Sequence, residues 1–233
     1  MSKMVSAIIV AAGKGTRMGD TVRKQYLSLS GRPILAHTLL AFDGCNEIES
    51  IFLVVSEEDI DFCQKTILLP LQLEKKIEIV PGGAERQDSV YNGLMAIDRS
   101  IFDTVVIHDG VRPFIRPEHL TTCIKCAEES GACVFGTPVS DTLKHVDGSG
   151  YIDKTLDRET VWQAQTPQAF RLELIVKSHE YARQDGFRGT DDALLVERMG
   201  KRVKMIDGSR RNIKITTRED LILARAMFQT ENI

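Results

Sequence analysis

The chain has 233 residues, of which 42% are hydrophobic and 27% charged, and its formal net charge is −3. A chain of this size and composition can bury one sizeable α/β core, which predicts one domain over residues 1–233. The slightly acidic balance gives no global attraction to nucleic acid or to anionic membranes, so a phosphate ligand needs cations gathered locally. The sequence lacks an apolar run of about 18 residues, and we expect a cytoplasmic protein with no membrane partner.

The five cysteines form no paired framework, which suits a reducing compartment. Cys123 and Cys126 have the spacing of some zinc and redox sites. Both lie on a predicted helix over residues 117–130, and Cys123 belongs to its apolar stripe. Since no second cysteine pair follows, core packing is the favoured interpretation.

The first loop, residues 11–18 (AAGKGTRM), follows a predicted buried strand over residues 6–10. Small residues let a backbone approach a ligand, and Lys14, Arg17 and Lys24 supply positive charge, so the loop is typical of a polyphosphate site. Its glycine spacing matches neither the Walker loop nor the dinucleotide fingerprint. A tight strand-to-helix turn with solvated cations is the alternative interpretation.

Apolar periodicity downstream predicts alternating strands and helices, and therefore a Rossmann-like α/β fold with a mostly parallel twisted sheet flanked by helices. A strand over residues 104–107 ends at His108 and Asp109. Asp109 and Arg112 therefore follow a strand's carboxyl end, where open α/β sheets bind ligands. The other predicted elements are strands over 48–55, 76–80, 132–139, 202–206 and 212–216, and helices after Pro33 and over 57–69, 87–97, 172–182, 191–199 and 217–229.

Residues 141–157 interrupt this alternation with a polar segment around a central Asp-Gly-Ser-Gly turn. The alternation on both sides of the turn predicts a β-hairpin that protrudes from the sheet as an arm at about residues 140–158. Val146, Tyr151 and Ile152 lack an obvious partner within a single α/β core. We therefore expect another subunit to cover them.

Six blocks of the sequence carry a resemblance to a known family. They are AAGKGTRM with Lys24-Gln25-Tyr26, GGAERQDSV at 82–90, HDGVRPF at 108–114, QTPQAF at 165–170, TDDA at 190–193 and NIKIT at 212–216. In this order, over nearly the whole chain, they resemble the 2-C-methyl-D-erythritol 4-phosphate cytidylyltransferases, which are sugar nucleotidyltransferases. The resemblance implies transfer of CMP from CTP to 2-C-methyl-D-erythritol 4-phosphate in non-mevalonate isoprenoid biosynthesis, with release of pyrophosphate. It also implies Mg²⁺ or another divalent cation, held mainly by the CTP phosphates, and a homodimer joined through the arm.

The resemblance further implies roles for individual residues. The catalytic residues, which act on the triphosphate, are Arg17, Lys24 and Lys214. The nucleotide-binding residues are Ala11, Ala12, Gly13, Gly15, Gly82, Gly83, Ser89 and Asp109. The residues that bind the sugar alcohol phosphate are Arg112, Arg158, Thr166 and Thr190. The family often carries an Asp where this chain has Ala84, and Lys14 is equally well explained as a solvated loop cation.

The implied nucleophile is a phosphate monoester, whose second pKa is about 6, so it is largely ionised at neutral pH and needs no general base. Catalysis then depends on cations and backbone N–H groups that hold two anions together. Alternation in the predicted strand 212–216 places Lys214 on the side opposite the buried Ile213 and Ile215, facing the cleft or solvent.

Two other functions fit parts of the pattern. A ribitol 5-phosphate cytidylyltransferase shares the first loop, HDGVRP and NIKIT, whereas the TDDALL and PVSDTLK blocks favour the methylerythritol phosphate enzyme. A non-catalytic nucleotide-binding protein on the same fold is the second alternative. Three cations directed at one triphosphate favour an enzyme over simple binding. Aromatic residues are too few and too dispersed for a nucleic-acid platform.

Overall fold

The structure is a computed structural model that describes residues 4–13 and 23–231. Its first strands and helices are β1 (Met4–Val10), β2 (Ser28–Leu29), β3 (Arg32–Pro33), α1 (Ile34–Asp43), β4 (Ile48–Val55), α2 (Ile60–Phe62), α3 (Leu69–Leu71), β5 (Lys76–Pro81), α4 (Arg86–Ala96) and β6 (Phe102–Asp109). They are followed by α5 (Pro117–Ser130), β7 (Ala132–Pro138), β8 (Lys144–Val146), β9 (Ile152–Thr155), β10 (Trp162–Arg171), α6 (Leu172–Gln184), α7 (Asp192–Arg198), β11 (Lys204–Asp207) and α8 (Arg218–Glu231).

A seven-stranded sheet with the order β11-β7-β10-β6-β1-β4-β5 forms the centre of the molecule. Strand β1 runs parallel to β4 and β6, β4 to β5, and β7 to β11, while β10 is antiparallel to β6 and β7. The predicted mostly parallel α/β sheet is thus confirmed. Val10 pairs with Val54 on one side and with Asp109 on the other. These three residues lie at the carboxyl edge of the parallel strands, where ligands bind in folds of this class.

Helices cover both faces of the sheet. In β1, Ile9 shares one core cluster with Leu39 of α1 and Leu120 of α5, whereas Ile8 shares another with Leu94 of α4. A strand that is buried on both faces has a continuous apolar sequence, which explains the unbroken run at residues 6–10. In the part of the chain that the structure describes, no helix is both long and apolar enough to cross a bilayer.

The cysteines take part in this packing. All five are free thiols, and Cys123 is fully buried among the core residues that α5 contributes. Burial and the neighbouring Cys133 thiol raise the pKa of Cys126 to about 11, so that thiol is protonated at neutral pH. These positions support the core-packing interpretation of the Cys123 and Cys126 pair.

Several elements differ from the sequence-based predictions, which also do not include the short antiparallel pair of β2 and β3. Strand β10 is not among the predicted elements, because Gln, Thr and Pro residues dominate its centre; Pro167 lies where its ladder with β7 is interrupted, between Ala164 and Gln168. Residues 212–216 are an extended segment outside the sheet rather than a strand, tied to the turn after β6 by Ile215 N–H donating to Val111 O at 3.0 Å. The helix predicted over 57–69 contains a π-helical stretch, Cys63–Leu68, between α2 and α3.

The predicted arm is a hairpin of its own. Strands β8 and β9 pair antiparallel as a separate two-stranded sheet, with Lys144 opposite Thr155. Each residue of both strands is exposed. At the turn, the Asp147 carboxylate accepts hydrogen bonds from the N–H groups of Ser149 and Tyr151, at 2.9 and 3.0 Å.

Candidate active site

A cleft of about 530 Å³ opens at the carboxyl edge of β1, β4, β5 and β6. Backbone and side chains from both ends of the chain line it, because the 212–216 segment returns to this edge. Its lining residues are Val10, Ala11, Ala12, Gly13, Lys24, Gln25, Ser56, Gly82, Gly83, Ala84, Glu85, Arg86, Ser89, Asp109, Val111 and Lys214. Most of the predicted nucleotide-binding positions therefore meet in one cavity, together with two of the three predicted catalytic residues.

The turn between β5 and α4 needs its two glycines for steric reasons. A Cβ on Gly82 would lie 2.4 Å from the Ala12 Cβ, and a Cβ on Gly83 would lie 2.4 Å from the Asp88 Cβ. Gly83 N–H donates to Ser89 Oγ at 3.1 Å, and the Ser89 hydroxyl donates to the Glu85 carbonyl at 3.0 Å. The turn is thus held close to the first loop at the wall of the cleft, with its N–H groups donating to Val55 O and Ser89 Oγ.

Asp109 is the electrostatic centre of the site. Its buried carboxylate accepts from Arg86 Nε at 3.0 Å and from Lys214 Nζ at 2.9 Å, and Arg112 Nε lies 3.5 Å from Oδ2. Burial alone would raise the pKa of Asp109, but the ion pairs with Arg86, Lys214 and Arg112 hold it well below its ordinary value. Three cations therefore converge on this one carboxylate at the edge of the sheet.

Arg86 is a member of this network to which the sequence alone assigns no role. Besides Asp109, Arg86 binds a second carboxylate, with its Nη1 2.8 Å from Asp192 Oδ2. The other Asp192 oxygen, Oδ1, lies 3.2 Å from His179 Nε2. Asp192 and His179 are almost completely buried. The signal was present in the sequence, because Arg86 lies in the GGAERQDSV block and Asp192 in the TDDA block, but only the fold shows that the two side chains meet.

A second cavity of about 250 Å³ adjoins the first and shares Arg86, Asp109 and Lys214 with it. Its lining also contains three of the four positions predicted to bind the sugar alcohol phosphate, namely Arg112, Thr166 and Thr190. The buried Thr166 hydroxyl accepts a hydrogen bond from Asp109 N–H at 3.1 Å. The two cavities therefore meet at the ion pairs that Asp109 forms with Arg86 and Lys214.

The Asn212 side chain fixes the segment that carries Lys214. It is buried, and its Nδ2 donates to the Thr166 carbonyl at 2.7 Å, while the Asn212 main-chain carbonyl accepts from Arg112 Nη1 at 2.7 Å. Ile215 is buried and Ile213 packs against the same cluster. Lys214 thus faces the cleft as the alternation predicts, although the segment is not a strand.

The remaining predicted residues fall into two groups. Lys14, Gly15 and Arg17 lie outside the described residues. Arg158 is exposed in a 3-10 turn, donates to the Ser140 carbonyl at 3.3 Å, and does not line either cavity within its own described chain.

His108 precedes Asp109 but is not placed to exchange protons with a ligand. Its ring is fully buried, lies 5.2 Å from the Phe42 ring, and has Nε2 3.2 Å from the Arg112 carbonyl. Burial lowers the pKa of His108 to about 3, although Asp109 opposes this shift. The neutral imidazole therefore supports the turn that carries Asp109 and Arg112.

Comparison with known proteins agrees with this geometry. A family model described as 2-C-methyl-D-erythritol 4-phosphate cytidylyltransferase matches residues 5–230. Proteins of that name from Syntrophotalea carbinolica and Caldanaerobacter subterraneus are 49% and 47% identical to this chain, covering 97% of it and 97% and 99% of their own lengths. The crystal structure of 4-diphosphocytidyl-2C-methyl-D-erythritol synthase from Anaerococcus prevotii matches with a TM-score of 0.88 at 37% identity, covering 97% of this chain and 96% of that one. The chain therefore belongs to the 2-C-methyl-D-erythritol 4-phosphate cytidylyltransferase family.

Proposed function

We propose that this protein transfers CMP from CTP to 2-C-methyl-D-erythritol 4-phosphate, giving 4-diphosphocytidyl-2-C-methyl-D-erythritol and pyrophosphate for isoprenoid synthesis. Family membership supports the reaction. The structural observation that carries it is the convergence of Lys24 and Lys214, from opposite ends of the chain, on one cleft beside Asp109. Cations that converge in this way suit a triphosphate and a second phosphate held together.

The chemistry asks for charge neutralisation rather than proton transfer. The attacking phosphate monoester has a second pKa of about 6 and is largely dianionic at neutral pH. It attacks the α-phosphorus of CTP, and the bond to the leaving pyrophosphate breaks. Lys24, Lys214 and Arg17 are proposed to stabilise the charge on the α-phosphate and on the leaving group. Arg112, Thr166 and Thr190 are proposed to orient the sugar alcohol phosphate, since they line the adjoining cavity.

The nucleotide base is proposed to lie against the Gly82–Gly83 turn. The carbonyl groups of that turn and the Ser89 hydroxyl oxygen suit the amino edge of a cytosine, since the turn's N–H groups and the Ser89 hydroxyl proton already have acceptors in the protein. Ala11, Ala12, Gly13 and Gly15 are proposed to surround the phosphates. Ala84 offers no polar side chain, so recognition at that position falls to the backbone. CTP should therefore be used in strong preference to ATP and GTP.

Mg²⁺ or another divalent cation is proposed as the cofactor, bound mainly by the CTP phosphates. Mg²⁺ prefers oxygen ligands and is commonly held through substrate phosphates with few protein groups. The observation that supports phosphate ligation is that Asp109, the buried carboxylate of the cleft, is already paired with three cations. When bound, the ion would neutralise charge on the triphosphate.

We further propose a cytoplasmic homodimer joined by the hairpin arm, with the nucleotidyltransferase domain spanning residues 1–233 and the arm at about 140–158. The exposed apolar side chains of the arm support this assembly, because Val146, Tyr151 and Ile152 are 48%, 74% and 63% exposed. Arg158 lies at the end of the arm and outside its own cleft, so it is proposed to reach the sugar alcohol phosphate of the neighbouring subunit.

Pyrophosphate release tests the proposed function. The full chain is incubated with Mg²⁺, one nucleoside triphosphate and one sugar alcohol phosphate. Released pyrophosphate is hydrolysed with pyrophosphatase, and the inorganic phosphate is measured. We expect turnover with CTP and 2-C-methyl-D-erythritol 4-phosphate, and far lower kcat/KM with ATP, GTP or ribitol 5-phosphate. Preference for ribitol 5-phosphate would favour the alternative cytidylyltransferase, whereas CTP binding without turnover would indicate a non-catalytic protein.

A further inference from the structure

Gln25 is a buried polar side chain in the wall of the nucleotide cleft, and the reaction as proposed above gives it no role. It is 1% exposed and belongs to the short 3-10 turn Lys24–Tyr26. Its carboxamide Nε2 donates to the Ala11 carbonyl at 2.6 Å and to the Gly13 carbonyl at 3.2 Å. One side chain therefore binds two alternate carbonyl groups of the loop that follows β1.

We propose that Gln25 is a positioning residue for the triphosphate, an inference that rests on the proposed function. A backbone carbonyl is an acceptor and repels an anion that approaches it. The two hydrogen bonds direct the Ala11 and Gly13 oxygens at the carboxamide, where they do not face a phosphate. In a trans peptide the C=O and the next N–H point in opposite directions, so the Ala12 N–H is turned away from Gln25. Ala12 itself lines the cleft.

The same contact fixes Lys24 relative to the loop. Lys24 is the neighbour of Gln25 in the 3-10 turn and lines the cleft. On the other side, the turn is held to residues 57–59, where Tyr26 OH donates to Asp59 Oδ2 at 3.1 Å and Arg23 Nε pairs with the same oxygen at 3.0 Å. The loop is itself anchored by Ala11 N–H donating to Val54 O at 2.7 Å. Gln25 thus joins two anchored segments. One is the loop after β1, which carries the Ala12 N–H, and the other is the 3-10 turn, which carries the Lys24 ammonium group.

A neutral carboxamide suits this position for chemical reasons. A carboxylate of the same shape cannot donate to two carbonyl oxygens, and it would add negative charge beside the triphosphate. An apolar side chain of similar length would leave both carbonyl groups without their buried donor. Displacement of a phosphate-binding loop by about 1 Å can reduce a rate on the order of 10²-fold.

The test compares Gln25→Met with Gln87→Met, a matched control. The Gln87 carboxamide also holds a loop, since it donates to the Phe187 carbonyl at 3.1 Å and accepts from Gly189 N–H at 2.9 Å. Gln87 does not line the nucleotide cleft. We expect Gln25→Met to lower kcat/KM for CTP about tenfold to a hundredfold, through both kcat and KM. Calorimetric CTP affinity should fall in parallel, while the melting temperature should remain close to that of Gln87→Met.

Gln25→Glu adds a pH signature that a merely structural role would not produce. A carboxylate buried against two carbonyl oxygens has a raised pKa, and its protonated form can donate one hydrogen bond. The ratio of variant to wild-type kcat/KM for CTP should therefore rise as pH falls from about 8 to 6, whereas the Gln25→Met ratio should stay flat.

The outcomes separate this inference from the proposed function. Absence of CTP turnover by the wild-type protein would overturn the function. Normal wild-type turnover, with CTP affinity of Gln25→Met within twofold of Gln87→Met, would overturn the role of Gln25 alone. So would a Gln25→Met protein that fails to fold or melts far below the control, since the carboxamide would then be holding the fold rather than the loop.

Discussion

In the cleft, each charged side chain has partners within its own chain, whereas in the arm the side chains are exposed. Asp109 is buried and touches three cations, but Tyr151 at the tip of the arm is 74% exposed. We therefore expect the cleft to bind a nucleotide within one subunit. The arm has a defined backbone, and its large apolar side chains are exposed within the described chain, so we expect its contribution to function to need a second copy of the chain.

The largest effect is expected from the cations of the cleft. Lys24→Ala should reduce kcat on the order of 10²-fold or more, because a preorganised charge at the α-phosphate is lost. Steady-state pyrophosphate release with CTP and Mg²⁺ measures it. Lys177→Ala, which removes an exposed lysine on α6, should leave kcat unchanged. A Lys24→Ala enzyme within a few-fold of wild type would show that the cleft does not depend on this charge.

A second test contrasts a buried ion pair of the cleft with one at the surface. Arg86→Met leaves Asp109 and the buried Asp192 without a shared partner and should lower the free energy of unfolding by about 3 kcal/mol. Arg198→Met breaks a pair with Asp185 that is 2.7 Å long and much more exposed, so we expect a loss below about 1 kcal/mol. Urea denaturation measures both, and equal losses would contradict the distinction.

The pH dependence of stability gives a smaller effect from beneath the cleft. Burial holds the pKa of His108 at about 3, while in the unfolded chain it is about 6.5. Between these values only the unfolded state takes up the proton, so stability is lost as pH falls through this window, by about 2 kcal/mol at pH 5 relative to pH 7. His108→Gln removes this titrating group, so the urea midpoint of the variant should fall less between pH 7 and pH 5 than that of the wild type. Parallel profiles for the two proteins would show that His108 is not buried as a neutral ring.

Buried apolar strands could be predicted from the sequence, whereas buried polar elements could not. Strands β1, β4 and β6 have continuous apolar runs because both faces of each strand are buried, so their positions and the edge where Asp109 lies followed from the pattern. Strand β10 was missed because its buried centre is polar and contains Pro167. The contact of Arg86 with Asp192 was missed because the two residues are distant in the chain and neither lies in an apolar pattern.

The roles of the arm and the cleft are separated most directly by deleting residues 144–154 and titrating each ligand. Leu143 O accepts from Leu156 N–H at 3.0 Å across the base of the arm, so the two ends lie close together and a short Asn-Gly linker in place of the deleted segment can join them. We expect a monomer in sedimentation velocity that binds CTP in calorimetry as the wild type does, but binds 2-C-methyl-D-erythritol 4-phosphate poorly because Arg158 no longer reaches a neighbour. A variant that stays dimeric, or that loses both ligands equally, would contradict the account.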